Sequence, residues 1–90
     1  GQARSTSAFL RLKNHGDIRF ILGPTWSAAG LAIAPIAAKS PKILMISPSL
    51  GMKDFNEAAP NLFNIWPHDE VATRRLAAFA IKKGWRRGAI

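Results

Sequence analysis

Few residues of this chain have the type and spacing for chemistry. The clearest group is Gly23-Pro24-Thr25-Trp26-Ser27, between the apolar run Ile18, Phe20, Ile21, Leu22 and the Ala-rich segment 28–38. This reads as the end of a strand, a turn and the start of a helix. Ser27 can cap that helix with its hydroxyl. A helix start also leaves backbone N–H groups unpaired, with the positive end of the helix dipole behind them. Such a corner suits an anion, a carboxylate for example. Trp26 and Ser27 are therefore the first candidate ligand-binding residues. The plainer reading, equally open from the sequence, is that Ser27 only caps the helix and Trp26 packs in the core.

Catalytic candidates are weak. The histidines are His15, beside Gly16, and His68, after Pro67. Each fits a surface or capping role, and neither has a partner at metal-ligand spacing. Ser27 lacks the glycines of a nucleophile elbow. The glycines match neither a phosphate-binding loop nor a dinucleotide fingerprint. Asp69 and Glu70 are neighbours on one helix and point in different directions, a poor acid–base pair. The expectation is a binding protein with no catalytic residue, no cofactor and no metal.

Composition sets outer bounds. Ninety residues, 48% hydrophobic, are enough for one small domain with a core. There is no cysteine, so no disulfide is possible. No apolar run is long enough for a transmembrane helix. The net charge is +8, which raises nucleic acid or an anionic membrane as partners. Most of the basic residues stand singly, however, and only Arg74-Arg75, Lys82-Lys83 and Arg86-Arg87 are paired. That spread reads as a solvated basic surface. The chain starts at Gly1 and ends at Ile90 within an apolar segment, so a fragment of a longer protein is expected.

The elements that must hold the Trp26–Ser27 corner follow from the pattern. Residues 3–14 have helical composition, with Gly16 as a stop. Residues 18–22 read as a strand buried on both faces. A helix over 27–39 is apolar on nearly every side, with Pro35 in its interior as a kink or an end. Ile43-Leu44-Met45-Ile46 is a second buried strand. A right-handed crossover makes it parallel and adjacent to the first. Ser47-Pro48-Ser49-Leu50-Gly51 then leaves at the same edge as Trp26 and Ser27, so two loops converge. Residues 52–61 read as irregular. Asn61–Trp66 reads as a short, partly exposed strand with Phe63 and Trp66 facing inward. Asp69 caps a helix whose apolar face is Ala72, Leu76, Phe79 and Ala80 and whose end is Lys82-Lys83-Gly84. Trp85–Ile90 resembles the start of another strand.

Several motifs also carry a family resemblance: Gly23-Pro24-Thr25-Trp26-Ser27, Ala34-Pro35-Ile36-Ala37, Met45-Ile46-Ser47-Pro48, Asn61-Leu62-Phe63 and Trp66-Pro67-His68-Asp69. In this order and spacing they resemble the branched-chain amino acid (leucine/isoleucine/valine) binding proteins of ABC transporters, within the type I periplasmic binding proteins. The resemblance runs from about Ala3 to Ile90. It implies an α/β fold, part of a doubly wound parallel-sheet lobe truncated at both ends. Residues 1–90 would be an internal fragment of the N-terminal lobe, with the second lobe absent. It further implies that Ser27 holds a ligand carboxylate with its hydroxyl and backbone N–H. Ser49, Leu50 and Gly51 would hold the carboxylate and ammonium groups, and Trp26 would wall the pocket. Many members carry Thr where this chain has Gly51. A backbone contact survives that change and a hydroxyl contact does not, which argues against a plain aliphatic amino acid.

The expected partners are a small carboxylate ligand and, through the full-length protein, a membrane permease, in a periplasmic or extracytoplasmic setting. Nucleic acid is not expected. A sensory ligand-binding domain of the same fold is the first alternative, and a basic nucleic-acid-binding module the second.

Overall fold

The computed structural model describes residues 1–89. In chain order the elements are α1 (Gln2–Asn14), β1 (Phe20–Leu22), α2 (Ser27–Ala38), β2 (Leu44–Ser47), α3 (Lys53–Asn56), β3 (Leu62–Asn64) and α4 (Asp69–Lys82). The strands form one parallel sheet in the order β1-β2-β3. The chain is thus α/β, and β1 and β2 are adjacent and parallel with α2 between them, as the sequence predicts.

Register explains which side chains meet. Ile21, Met45 and Leu62 lie abreast across the three strands. Met45 and Leu62 are buried, and Ile21 packs against the same cluster. On this face sit Phe9 of α1, Ile33, Ala34 and Ala37 of α2, Leu50, and Phe55 of α3. The next row, Leu22, Ile46 and Phe63, falls on the opposite face because strand side chains alternate. No helix covers that face among the described residues: Leu22 is 85% exposed and Phe20 72%. The expectation that the first strand is buried on both faces is therefore wrong for β1, which is also shorter than 18–22.

The helices depart from expectation in similar ways. α2 buries Ala29, Gly30, Ile33, Ala34 and Ala37, one stripe at helical spacing, while Leu31 is exposed. It is apolar all round but buried on one side. Small residues on the stripe admit Leu50: a Cβ on Gly30 would stand 2.7 Å from a Leu50 methyl carbon. Pro35 neither ends the helix nor lies on the buried stripe. The carbonyl it leaves unpaired belongs to the exposed Leu31, where water can reach it.

Residues 52–61, expected to be irregular, contain the single turn α3, whose Phe55 plugs the core. Asp69 does not cap α4. His68 is the N-cap residue, and no side-chain cap bond forms. Phe63 and Trp66, expected inward, are about half exposed. Residues 85–89 form no strand, and Ile90 lies outside the described residues.

One buried polar side chain ties the layers together. Asn61, directly before β3, points its Nδ2 at the carbonyls of Ala37 (3.0 Å), Ser40 (3.2 Å) and Ile43 (2.9 Å). These are carbonyls from the end of α2 and the turn into β2; Ala37 O and Ser40 O also accept the Ser40 and Ile43 N–H groups, so Asn61 adds a second donor to a turn that is already hydrogen-bonded.

α4 has no buried residue, and among the described residues only its first turn is tied to the rest of the fold. Its end is nonetheless well formed. Gly84 takes φ +78°, its N–H donates to Ile81 O, and Trp85 N–H donates to Ala80 O. This is a Schellman stop, and its usual apolar contact is the edge-on pair Phe79–Trp85, with ring centroids 5.6 Å apart.

Candidate functional site

The carboxyl ends of β1 and β2 open onto one corner, and side chains stitch their loops together. Ser47 is fully buried. Its Oγ donates to Pro24 O at 2.6 Å and accepts from Leu50 N–H at 3.1 Å. Ser49 Oγ donates to Thr25 O at 3.0 Å. The Asn64 side chain, at the end of β3, donates to Leu50 O. Three strand ends thus fix one loop pair with few moving parts. This is the arrangement that open parallel sheets use to present loops to a ligand.

Into this corner α2 sends its N-terminus. Trp26 is the N-cap residue, and the first intrahelical bond is Gly30 N–H to Trp26 O at 2.9 Å. The N–H groups of Ser27, Ala28 and Ala29 precede it and have no place in the helical ladder. The Ser27 side chain makes no cap bond, so capping, the plainer reading of this residue, does not hold. Trp26 does not pack in the core either. It is 78% exposed and stands over the corner. With Phe9, Ile21, Pro24 and Ile33 it lines a groove of about 290 Å³ between α1, α2 and the free edge of β1.

The five residues singled out from the sequence separate into two kinds. Trp26, Ser27 and Ser49 have solvent access at the corner. Leu50 and Gly51 are buried, and what they could offer a ligand is backbone. The Leu50 side chain is a core residue at 1% exposure. Gly51 O accepts Asp69 N–H at 2.9 Å. Above Gly51, the place a Cβ would take is filled by the Asp69 carboxylate. The glycine is therefore one half of a steric pair with the first turn of α4. We expect Gly51→Thr to destabilise the fold by about 1–2 kcal/mol, as overpacking does. Asp69→Ala should restore most of that loss, a coupling readable in a double-mutant cycle of urea midpoints. Equal losses in both backgrounds would separate the two positions.

Ser47 and Asn64 are residues to which the sequence assigned no role at the site, and Asp69, expected as a helix cap, instead stands against Gly51. The signal for Ser47 was a polar side chain at the buried parity of a strand, two positions after Met45. A buried polar residue has to find partners, and here the partners are the site's own loops. His68 Nε2 meets Asn56 Oδ1 at 3.0 Å, and Lys53 pairs with Glu70 at 3.7 Å. Both contacts anchor the start of α4 beside α3. Among the described residues no group of acidic, His or Cys side chains is placed to hold a metal ion. No helix among the described residues is long and apolar enough to cross a membrane.

Compared with known proteins, the chain matches no protein-family model, no curated protein and no solved structure.

Proposed function

We propose that the corner formed by Trp26, Ser27 and the Ser49–Gly51 loop binds the carboxylate of a small molecule, with the chain acting as part of one lobe of a solute-binding protein. The observation that carries this reading is the start of α2. Three backbone N–H groups and an unbonded Ser27 hydroxyl meet at the carboxyl edge of a parallel sheet, held by the Ser47 and Ser49 bonds. Hydrogen bonds from such donors to a carboxylate are charge-assisted and stronger than neutral ones. The resemblance to amino acid binding proteins of ABC transporters supports the same corner. On it the ligand is an amino acid or related carboxylate, the second lobe closes over it, and a permease receives it outside the cytoplasm. A sensory domain of the same fold would use the corner identically.

Ser27→Ala tests the assignment. Ser27 makes no cap bond, so the substitution should change the unfolding free energy by no more than about 0.5 kcal/mol. It should weaken binding of acetate, used as a probe carboxylate, by about tenfold or more. Affinity within twofold of wild type would remove Ser27 from the site.

One observation favours a second reading, nucleic-acid binding. Arg74, Arg75, Lys82, Lys83, Arg86 and Arg87 all lie exposed on α4 and the segment after it. Retention on DNA that falls steeply with added salt would support that reading.

A further inference from the structure

Two apolar surfaces of this chain are bare, and they do not meet. One is the open face of the sheet. There Leu22, Ile46 and Phe63 lie abreast in register, and Phe20 and Ile65, 72% exposed each, extend the patch. The other is α4, where Leu76 is 65% exposed and Phe79 47%, on the stripe that also holds Ala72 and Ala80. An amphipathic helix and a one-sided parallel sheet are each stable only when covered.

α4 does not turn back onto its own sheet. Its first turn is fastened on the helical side of the sheet: Asp69 N–H to Gly51 O, the His68 ring to Asn56 and the Lys53–Glu70 pair all hold it beside α3. From there it projects outward. The chain measures 56 × 24 × 17 Å, with a radius of gyration of 16.4 Å, against about 12 Å for a compact chain of this length.

We propose that a second copy of this chain covers both surfaces, with α4 of each protomer lying across the open sheet face of the other around a two-fold axis. The surface area supports this occupant. The chain exposes 6849 Å², whereas a compact monomer of 9.8 kDa exposes about 5,200 Å². The excess is about 1,650 Å² per chain. Even half of that from each partner reaches the roughly 1,600 Å² total of a standard stable interface. The exchange is self-complementary, as a two-fold interface must be: the helix of one meets the sheet of the other, twice. α4 rises about 21 Å along its axis, long enough to cross three strands spaced about 4.8 Å apart. This association uses none of Trp26, Ser27, Ser49, Leu50 or Gly51, so it leaves the carboxylate corner open in the 90-residue chain.

Sedimentation equilibrium and disulfide mapping test it on the 90-residue chain, which has no cysteine of its own. The expected mass is twice 9.8 kDa, with a dissociation constant that falls as salt rises, because both copies carry +8 and salt screens their repulsion. Leu76→Glu and, separately, Phe63→Glu should each raise that constant by about tenfold or more while far-ultraviolet circular dichroism stays native-like. The double variant Phe63→Cys with Leu76→Cys, oxidised gently, should give cross-linked dimers whose disulfides join position 63 of one copy to position 76 of the other. A monomer at all concentrations would overturn the proposal. So would a disulfide between positions 63 and 76 of the same copy, which would show α4 covering its own sheet. Large assemblies indifferent to both Glu substitutions would equally contradict it. If Leu76→Glu fails to fold, Leu76→Ala gives the same comparison with a milder change.

Discussion

Asn61→Asp destabilises the chain by about 3–5 kcal/mol at neutral pH, enough to unfold a domain of this size. The side chains are nearly isosteric, so packing is not the cause. Asn61 is 8% exposed, and its Nδ2 is the donor facing the carbonyls of Ala37, Ser40 and Ile43. In the variant an anionic oxygen faces three carbonyl oxygens in a site with little water. Ala37 O and Ser40 O keep the Ser40 and Ile43 N–H donors, so losing the Nδ2 contacts alone costs at most about 1–3 kcal/mol, and a charge set against the three oxygens costs more. Asn61→Leu, which removes the donor without adding charge, should fall between wild type and Asp. Urea unfolding followed by circular dichroism gives the order. An Asp variant within 1 kcal/mol of wild type would show that Asn61 does not hold α2 to the sheet.

Leu50→Ala should destabilise by about 3 kcal/mol, near the middle of the range for truncating a buried Leu. Leu50 lies in the loop assigned to the ligand, yet its side chain sits against Gly30 and inside the core cluster. Leu50→Met nearly conserves volume and should cost less than about 1.5 kcal/mol. Ser49→Ala, one position earlier and exposed, should cost under about 1 kcal/mol, since its bond to Thr25 O is open to water. A steep drop between neighbours would separate the part of this loop that holds the fold from the part that can face a ligand. Similar losses at Ser49 and Leu50 would contradict the division.

Local rules made much of the fold legible. The strand–turn–helix passage at Leu22–Ser27 and the apolar run ending at Ile46 give β1, α2 and β2, and the short connections between them dictate a parallel pair. Gly16 and Gly84 mark helix stops, and both take positive φ in the structure. What could not be read depends on neighbours. Phe20, Leu22, Phe63 and Trp66 are apolar in strands or at their ends, and apolarity alone does not say whether a second layer exists to cover them. Ser27 and Asp69 have the right type for helix caps, but the turns place Trp26 and His68 at the N-cap positions, one residue earlier. The site was legible as a corner, because two loops leaving parallel neighbours must share an edge. The buried Ser47 that joins them was not singled out, since its partners Pro24 O and Leu50 N–H are set by tertiary contact.

The central claim is that the start of α2 receives a carboxylate. Amide chemical shifts of the isotope-labelled chain test it most directly, during titration with acetate and, in parallel, with acetamide, which has no carboxylate. The account predicts that the Ser27, Ala28 and Ala29 amides move with acetate along one saturable curve in the millimolar range, about −4 kcal/mol, and that acetamide leaves them in place. Amides that stay fixed with both compounds, or follow both equally, would contradict it.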